Sequence, residues 1–223
     1  MKMKTRNQQG FTLIELLVVI TIIAILASLA VPTFSKIQEK GNQTKGISNC
    51  RQIITTLKLY SSDNNGQYPD SSKTNTPTTS NAAFRLMFVG GQCDNEMIFG
   101  CPASKFNPDG KSGPAGTNTD ALTAGENHWA LMGGESDSSG GNSPLVFENA
   151  TAASVPPTWD ATQAGKPIKG RAWGGGKIIV GMNDSSVSIL PLTASTGVVG
   201  LKNTEVFAPG GVAITGTVLD IIP

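Results

Sequence analysis

The chain has 223 residues and a formal net charge of +1, and only 15% of its residues are charged. This length accommodates one domain of ordinary size and an anchor segment. The near-neutral charge argues against a nucleic-acid-binding surface and against a polybasic membrane patch. With 26 Gly and 13 Pro, the composition favours a loop-rich, partly β domain outside the cytoplasm over a helical cytosolic domain.

The first 31 residues divide into a basic segment and an apolar segment. Residues 1–10 contain three of the 17 basic side chains and no acid. Residues 11–31 are apolar except for Thr12, Glu15, Thr21 and Ser28. As a helix, this stretch would extend about 32 Å, which is enough to cross a bilayer core of about 30 Å. The positive charges before it place the N-terminus in the cytoplasm and the later residues outside.

Glu15 is the unusual residue of this apolar segment, because a carboxylate is costly in a membrane-spanning helix unless it has a partner. No Lys or Arg lies within two helical turns of it. Cleavage between Gly10 and Phe11 would create a cation, the new α-amino group of Phe11. We expect Glu15 to meet this amine in its own chain or, in a packed filament, in a neighbouring subunit, where the pair would set the axial register.

Residues 10–15, GFTLIE, follow a short basic leader and open the apolar run. This arrangement resembles the N-terminal signal of type IV prepilins and of type II secretion pseudopilins. The resemblance implies that a prepilin peptidase cuts after Gly10 and N-methylates Phe11, and that Glu15 guides filament assembly. It also implies other pilin or pseudopilin subunits and an inner-membrane assembly platform as partners, without nucleic acid.

The same resemblance implies a location. The protein would be a single-pass protein of the bacterial inner membrane, with its globular domain in the periplasm and its filament in the periplasm or at the cell surface. Two alternatives stay open. Residues 28–30, SLA, have the small-x-small form of an ordinary secretory signal peptide, although Glu15 is unusual for one. An unprocessed membrane anchor would leave Glu15 unexplained.

A second helical stretch follows the apolar run. Pro32 predicts a kink, as prolines near this position do in the pilins that the chain resembles. Gly41 and Gly46 weaken the helix and allow a break between them. Apolar residues then recur at a spacing of three or four, which predicts an amphipathic helix packed on a globular domain. They are Ile47, Cys50, Ile53, Ile54, Leu57 and Tyr60.

Residues 59–69, LYSSDNNGQYP, end this helix with turn-forming residues. The run resembles the helix exit of type II secretion pseudopilins, with one additional Asn, and residues 99–102, FGCP, also resemble a segment of such proteins. We therefore predict a structural subunit of a type II secretion pseudopilus. The alternatives are a type IV pilin for adhesion, motility or DNA uptake, and a membrane-anchored binding domain.

The expected fold class is α+β and pilin-like, with a long N-terminal helix packed on a small antiparallel β domain. The predicted divisions are a leader (1–10), a transmembrane helix (11–31), an amphipathic helix (32–62) and a β-rich domain (63–223). Residues 83–89 are apolar enough for a short helix or strand. Strands are predicted at 145–147, 177–182, 186–190 and 212–222, with a turn at 183–185.

Cys50, Cys93 and Cys101 allow at most one disulfide within the chain. Loop-closure entropy favours Cys93–Cys101, and Cys50 competes if the Cys101 segment packs on the helix. No spacing indicates a zinc site, and His128, the single histidine, is expected to be structural. The resemblance allows a structural calcium ion, but no ligand pattern predicts its site. Without a catalytic constellation, we expect no enzyme and no cofactor.

Overall fold

The computed structural model describes residues 11–71, 77–209 and 216–223. Residue contacts divide the chain into two units, Met1–Gly41 and Asn42–Pro223. The predicted leader, including Gly10, lies outside the described residues. Helix α1 spans Leu13–Asp63 and therefore contributes to both units.

Helix α1 continues through Gly41 and Gly46, so the break allowed by these glycines does not occur. The missing side chain of Gly46 lets the helix approach the domain closely. A Cβ atom at Gly46 would lie 2.7 Å from Ile179 Cδ1 and 3.5 Å from Cys101 Sγ. Tertiary packing here outweighs the low intrinsic helix propensity of glycine.

The predicted apolar face of α1 is buried as expected. Cys50, Ile53, Ile54 and Leu57 are fully buried, and Ile47 and Tyr60 are partly buried. The helix ends at Asp63. Asn65 and Gly66 then adopt φ angles of +55° and +79°, in the left-handed region typical of helix C-termini.

The domain contains a second helix and seven strands in its described residues. Helix α2 spans Ser80–Val89, with Thr79 as its N-cap. The strands are β1 (Trp129–Gly133), β2 (Pro144–Glu148), β3 (Trp159–Asp160), β4 (Lys177–Met182), β5 (Val187–Pro191), β6 (Val198–Val199) and β7 (Thr217–Leu219). Short 3₁₀ helices span Pro69–Ser71, Glu96–Phe99, Ala161–Gln163 and Thr204–Val206.

Five of these strands form an antiparallel sheet in the order β5-β4-β2-β1-β7. Strands β3 and β6 form a separate antiparallel pair. Side chains of successive residues on a strand point to opposite faces. Accordingly, Val146 and Ile179 join the core cluster that includes α1 and α2, while Phe147, Ile178 and Val180 join a second cluster around Trp159.

The α+β expectation is confirmed, with differences in detail. Strand β2 and the β4–β5 hairpin match the predicted strands within about two residues. The segment 83–89 belongs to a helix, and the described part of the predicted last strand is only Thr217–Leu219. Strand β1 was not predicted, because all five of its residues are buried and so do not alternate between apolar and polar.

Candidate assembly site on the N-terminal helix

The N-terminus of α1 is capped by a reciprocal contact between Thr12 and Glu15. Glu15 Oε2 accepts hydrogen bonds from the Thr12 backbone N–H (2.9 Å) and from Thr12 Oγ1 (2.6 Å). The Glu15 N–H in turn donates to Thr12 Oγ1 at 3.3 Å. This is a capping box, which satisfies N–H groups that a helix start would otherwise leave unpaired. Glu15 thus has a partner within its own chain.

Sequence reasoning did not identify Thr12, although the Thr-x-x-Glu spacing carried the signal. The contact holds the carboxylate at the first turn of α1, one helical turn from Phe11. Phe11 itself is 82% exposed. The structure therefore places the predicted N-methylation residue and the predicted assembly residue at the same end of the helix.

Around this end, α1 presents an apolar surface that no other described residue covers. The large apolar side chains from Leu13 to Leu29 are exposed. Among the described residues, α1 is the one helix that is long and apolar enough to cross a membrane. Glu15 is the only charged residue between positions 11 and 31.

The other polar side chains of this stretch are satisfied within the helix. Thr21, Ser28 and Thr33 donate their hydroxyl protons to backbone carbonyl groups three or four residues earlier, at 2.7, 2.7 and 3.1 Å. Such bonds remove most of the cost of placing a hydroxyl group in hydrocarbon. Hence the carboxylate of Glu15 is the one charged group between positions 11 and 31 that an apolar environment would have to accommodate.

The remaining predicted site residues lie apart from this end. The helix is uninterrupted at Pro32, and the kink there stays a prediction. All three cysteines are buried free thiols, so the predicted Cys93–Cys101 bond is not formed in the structure. Gly10, on the leader side of the predicted cut, lies outside the described residues.

A second group of polar side chains is buried around Glu148, the last residue of β2. His128 Nδ1 lies 2.9 Å from Ser104 Oγ and 3.0 Å from Asn149 Nδ2, and His128 Nε2 lies 3.1 Å from Glu148 Oε1. The Asn149 amide nitrogen can only donate, so Nδ1 accepts and Nε2 carries the proton that is donated to Glu148. Burial lowers the pKa of His128. The histidine is therefore a neutral, fully bonded structural residue, as expected.

Glu148 is the centre of this network. Its Oε2 atom accepts from Trp173 Nε1 and from the Ile179 N–H, both at 2.9 Å. Its Oε1 atom faces Arg171 Nη2 at 3.8 Å and Cys101 Sγ at 4.0 Å. Burial and the neighbouring Glu148 carboxylate raise the pKa of the Cys101 thiol, which favours its neutral form. The charges of the network are then those of Glu148 and Arg171, which balance each other.

The potential ligand atoms of Cys101, His128 and Glu148 lie within 4.8 Å of one another, a proximity that the sequence spacing did not indicate. Two features oppose a divalent metal ion. Arg171 places a cation 3.8 Å from both Cys101 Sγ and Glu148 Oε1, and the lone pair of His128 Nε2 is occupied by a proton. The residues fit a charge-balanced hydrogen-bond network better than a metal site.

Comparisons with known proteins concern the N-terminal segment. The family model described as the prokaryotic N-terminal methylation motif matches residues 5–31. The type II secretion system core protein G of Aeromonas hydrophila is 46% identical over 67 residues, which are 30% of this chain and 46% of that protein. The corresponding protein of Escherichia coli (strain K12) is 43% identical over 65 residues, or 29% and 44% of the two chains.

A type IV pilin is also similar. The type IV major pilin protein PilA of Myxococcus xanthus is 40% identical over 57 residues, which are 26% of each chain. No solved structure matches. The chain thus spans less than half the length of these curated relatives. These findings confirm the resemblance expected from residues 10–15: the chain carries the prepilin-type N-terminal methylation motif and is related, through its N-terminal region, to the pseudopilins and pilins.

Proposed function

We propose that this protein is a structural, non-enzymatic subunit of a type II secretion pseudopilus, made as a precursor and assembled through α1. The observation that carries the proposal is the position of Glu15, the single charge in an uncovered apolar helix end that carries the methylation motif. The similarity to core protein G of type II secretion supports the choice of system.

In this proposal, a prepilin peptidase cuts between Gly10 and Phe11 and methylates the new amine. The segment 11–31 holds the subunit in the inner membrane, with the N-terminus in the cytoplasm and the domain in the periplasm. The basic leader and the apolar length of α1 support this orientation. The subunit then leaves the bilayer by packing α1 against the helices of its neighbours.

The Thr12–Glu15 capping box supports an assembly role for Glu15. A long side chain in an apolar environment loses conformational freedom when it is fixed. Two bonds to Thr12 already hold the carboxylate in place. We infer that the carboxylate is thereby preorganised to receive the Phe11 ammonium group of an adjacent subunit.

Helix register follows from the same charge pair. An apolar helix surface alone can slide along another with little change in buried area. A buried ammonium group without its carboxylate, by contrast, is strongly unfavourable. Only the register that pairs Phe11 with Glu15 avoids this penalty, so the pair would select one axial offset in the filament.

A type IV pilin is the second candidate, and the similarity to PilA favours it. Residues 59–69, which resemble a pseudopilin helix exit, favour the first candidate. Deletion of the gene, with complementation by the full-length chain, separates the two. A pseudopilin predicts loss of protein export into the medium, whereas a pilin predicts loss of surface filaments with export intact. If protein export and surface filaments are both retained after the deletion, the membrane-anchored binding domain replaces the pseudopilin and the pilin as the proposed function.

A further inference from the structure

We propose that Cys50 and Cys101 form a disulfide bond that fastens the domain-packed part of α1 to the loop that follows the 3₁₀ helix Glu96–Phe99. The inference rests on the proposed function in one respect, namely that the domain reaches an oxidising compartment outside the cytoplasm. The two thiols are free in the structure. Three features of their surroundings select this pair among the three cysteines.

First, the Cys101 segment packs directly on the face of α1 that carries Cys50. Asn49 Nδ2 donates to the Gly100 carbonyl oxygen at 2.9 Å. A Cβ atom at Gly46 would lie 3.5 Å from Cys101 Sγ. Gly46 and Cys50 are four residues apart, so they lie on one face of the helix about 6 Å from each other. This is the condition under which Cys50 becomes the favoured partner of Cys101.

Second, both sulfur atoms lie beneath the same strand. Cys50 Sγ donates to the Val146 carbonyl oxygen at 3.7 Å, and Cys101 Sγ lies 4.0 Å from Glu148 Oε1. Val146 and Glu148 are alternate residues of β2, so their side chains point to the same face of the sheet. Both sulfurs therefore lie within about 4 Å of atoms of β2, on the side of the sheet where α1 packs.

Third, Cys93 has different surroundings. Its Sγ atom donates to the Asn95 carbonyl oxygen at 3.7 Å. It borders a surface cleft with Gln52, Thr55 and Thr56, which lie on another side of α1. The short loop between Cys93 and Cys101 favours their pairing by entropy, but the fold directs the two side chains to different neighbours. Geometry thus outweighs loop length here.

The chemistry sets the time at which the bond can form. A thiolate is the attacking species in disulfide exchange, and burial raises the pKa of both Cys50 and Cys101. Exchange is consequently slow once the core has closed. The bond would form during folding: the two thiols lose two protons and two electrons to a disulfide-bearing oxidant, which is reduced to two thiols.

The test uses the full-length chain, unfolded with its thiols reduced and refolded in detergent micelles with glutathione disulfide as the oxidant. Free thiols are then alkylated, and peptides are mapped by mass spectrometry without reduction. We expect a linked pair of peptides containing Cys50 and Cys101 and one alkylated thiol at Cys93. The variant Cys93→Ser should retain the linked pair, whereas Cys50→Ala and Cys101→Ala should each lose it.

Three free thiols, or a Cys93–Cys101 linkage, in refolded wild-type protein with native near-UV circular dichroism would overturn the inference. This result does not depend on whether a cysteine variant folds. Location is tested separately, by protease accessibility of the domain in spheroplasts of the producing bacterium. A protected domain would contradict the proposed function while the refolding result still decided the pairing.

Discussion

In the proposed function, Glu15 combines two roles that usually belong to different residues. Its carboxylate completes a capping box with Thr12, and it is the only charge on an uncovered apolar helix end. The capping bonds need only one chain, so Glu15 is stabilised before any assembly partner is present. These bonds reduce the cost of the carboxylate in apolar surroundings and leave its charge available for the proposed pairing with a neighbouring subunit.

Replacing Glu15 by Leu should therefore affect assembly and leave the single subunit intact. We expect Glu15→Leu to be membrane-inserted and cleaved as in the wild type, because leucine suits the bilayer better than a carboxylate. Filament yield should fall roughly a hundredfold, because the Phe11 ammonium group of a neighbour loses its counter-ion in an apolar core. Sheared filaments are quantified beside membrane abundance.

The control for this experiment is Thr12→Ala, which removes the capping hydroxyl and retains the charge. It should reduce filament yield much less than Glu15→Leu. If Glu15→Leu assembles at the wild-type level, the intersubunit charge pair does not operate in this protein. If the two variants are equally impaired, the capping box rather than the charge pair accounts for the effect.

His128 provides a direct measurement of the buried network, because it is the only histidine in the chain. Burial holds its pKa below the ordinary value of 6.5. The unfolded chain therefore binds more protons than the folded chain below about pH 6.5, and the free energy of unfolding should decrease as the pH falls through this window.

An NMR titration of the single imidazole should give a folded-state pKa below 6.5. Unfolding in urea at a series of pH values should show a slope of at most about 1.4 kcal/mol per pH unit from this group. In the variant His128→Gln, the pH dependence of the free energy of unfolding comes from all other groups, and it is subtracted from that of the wild type. A folded-state pKa above the ordinary value would contradict the neutral tautomer assigned here.

At the scale of elements, α1 changes character along its length. Its first part is apolar on all sides, whereas its later part buries one face against the sheet. A matched pair of substitutions compares the buried face with the exposed face of this later part. Ile54 is fully buried and Leu59 is 52% exposed, and both lie in the later part of the same helix.

We expect Ile54→Ala to lower the free energy of unfolding by about 2–4 kcal/mol, because it leaves a cavity against the sheet. Leu59→Ala should change it by less than about 0.5 kcal/mol. Urea unfolding of the two variants in the same detergent gives the comparison. Equal effects would mean that the helix does not pack on the domain through the face described.

The β4–β5 hairpin contains a strained turn residue. Ser185 has a φ angle of +69°, in the left-handed region that favours glycine. Ser185→Gly should stabilise the fold by about 0.5–1 kcal/mol, because relief of strain exceeds the entropy cost of glycine.

Ser186→Gly is the control for this substitution, since it adds the same flexibility at the adjacent position without relieving a positive φ angle. It should be neutral or destabilising in thermal unfolding. Stabilisation of similar size by both variants would show that the effect comes from chain flexibility and not from the conformation of Ser185.

At the scale of the whole molecule, the first step of the proposed function is cleavage of the precursor. We expect the mature protein to begin at Phe11 and the variant Gly10→Val to remain uncleaved but membrane-inserted. A branched side chain obstructs a protease that binds the backbone closely, whereas insertion depends on residues 11–31. N-terminal mass spectrometry and membrane fractionation measure both outcomes.

Gly10→Ala is the milder control and should be cleaved more completely than Gly10→Val. A mature start at Val31 would instead establish the secretory signal peptide that residues 28–30 resemble. It would remove residues 11–30, including the first part of α1, from the mature protein and with them the proposed assembly role of Glu15.

The sequence by itself determined the features that are encoded in contiguous residues. The methylation motif, the membrane-length apolar run and the buried face of α1 follow from local spacing, because a membrane and a helix face both respond to residues close together in the chain. The β4–β5 hairpin follows for the same reason, since a short turn fixes its register. The Thr12–Glu15 cap was equally local and was recognised only in the structure.

Only the tertiary structure decided which distant residues meet. The network of Cys101, His128, Glu148 and Arg171 joins four separate segments through the β5-β4-β2-β1-β7 order. Strand β1 and the neighbourhood of Cys50 and Cys101 likewise depend on packing. Local periodicity predicts which face of an element is buried, but many strand orders satisfy the same pattern. The order that forms is set by the burial and hydrogen bonding of the complete chain.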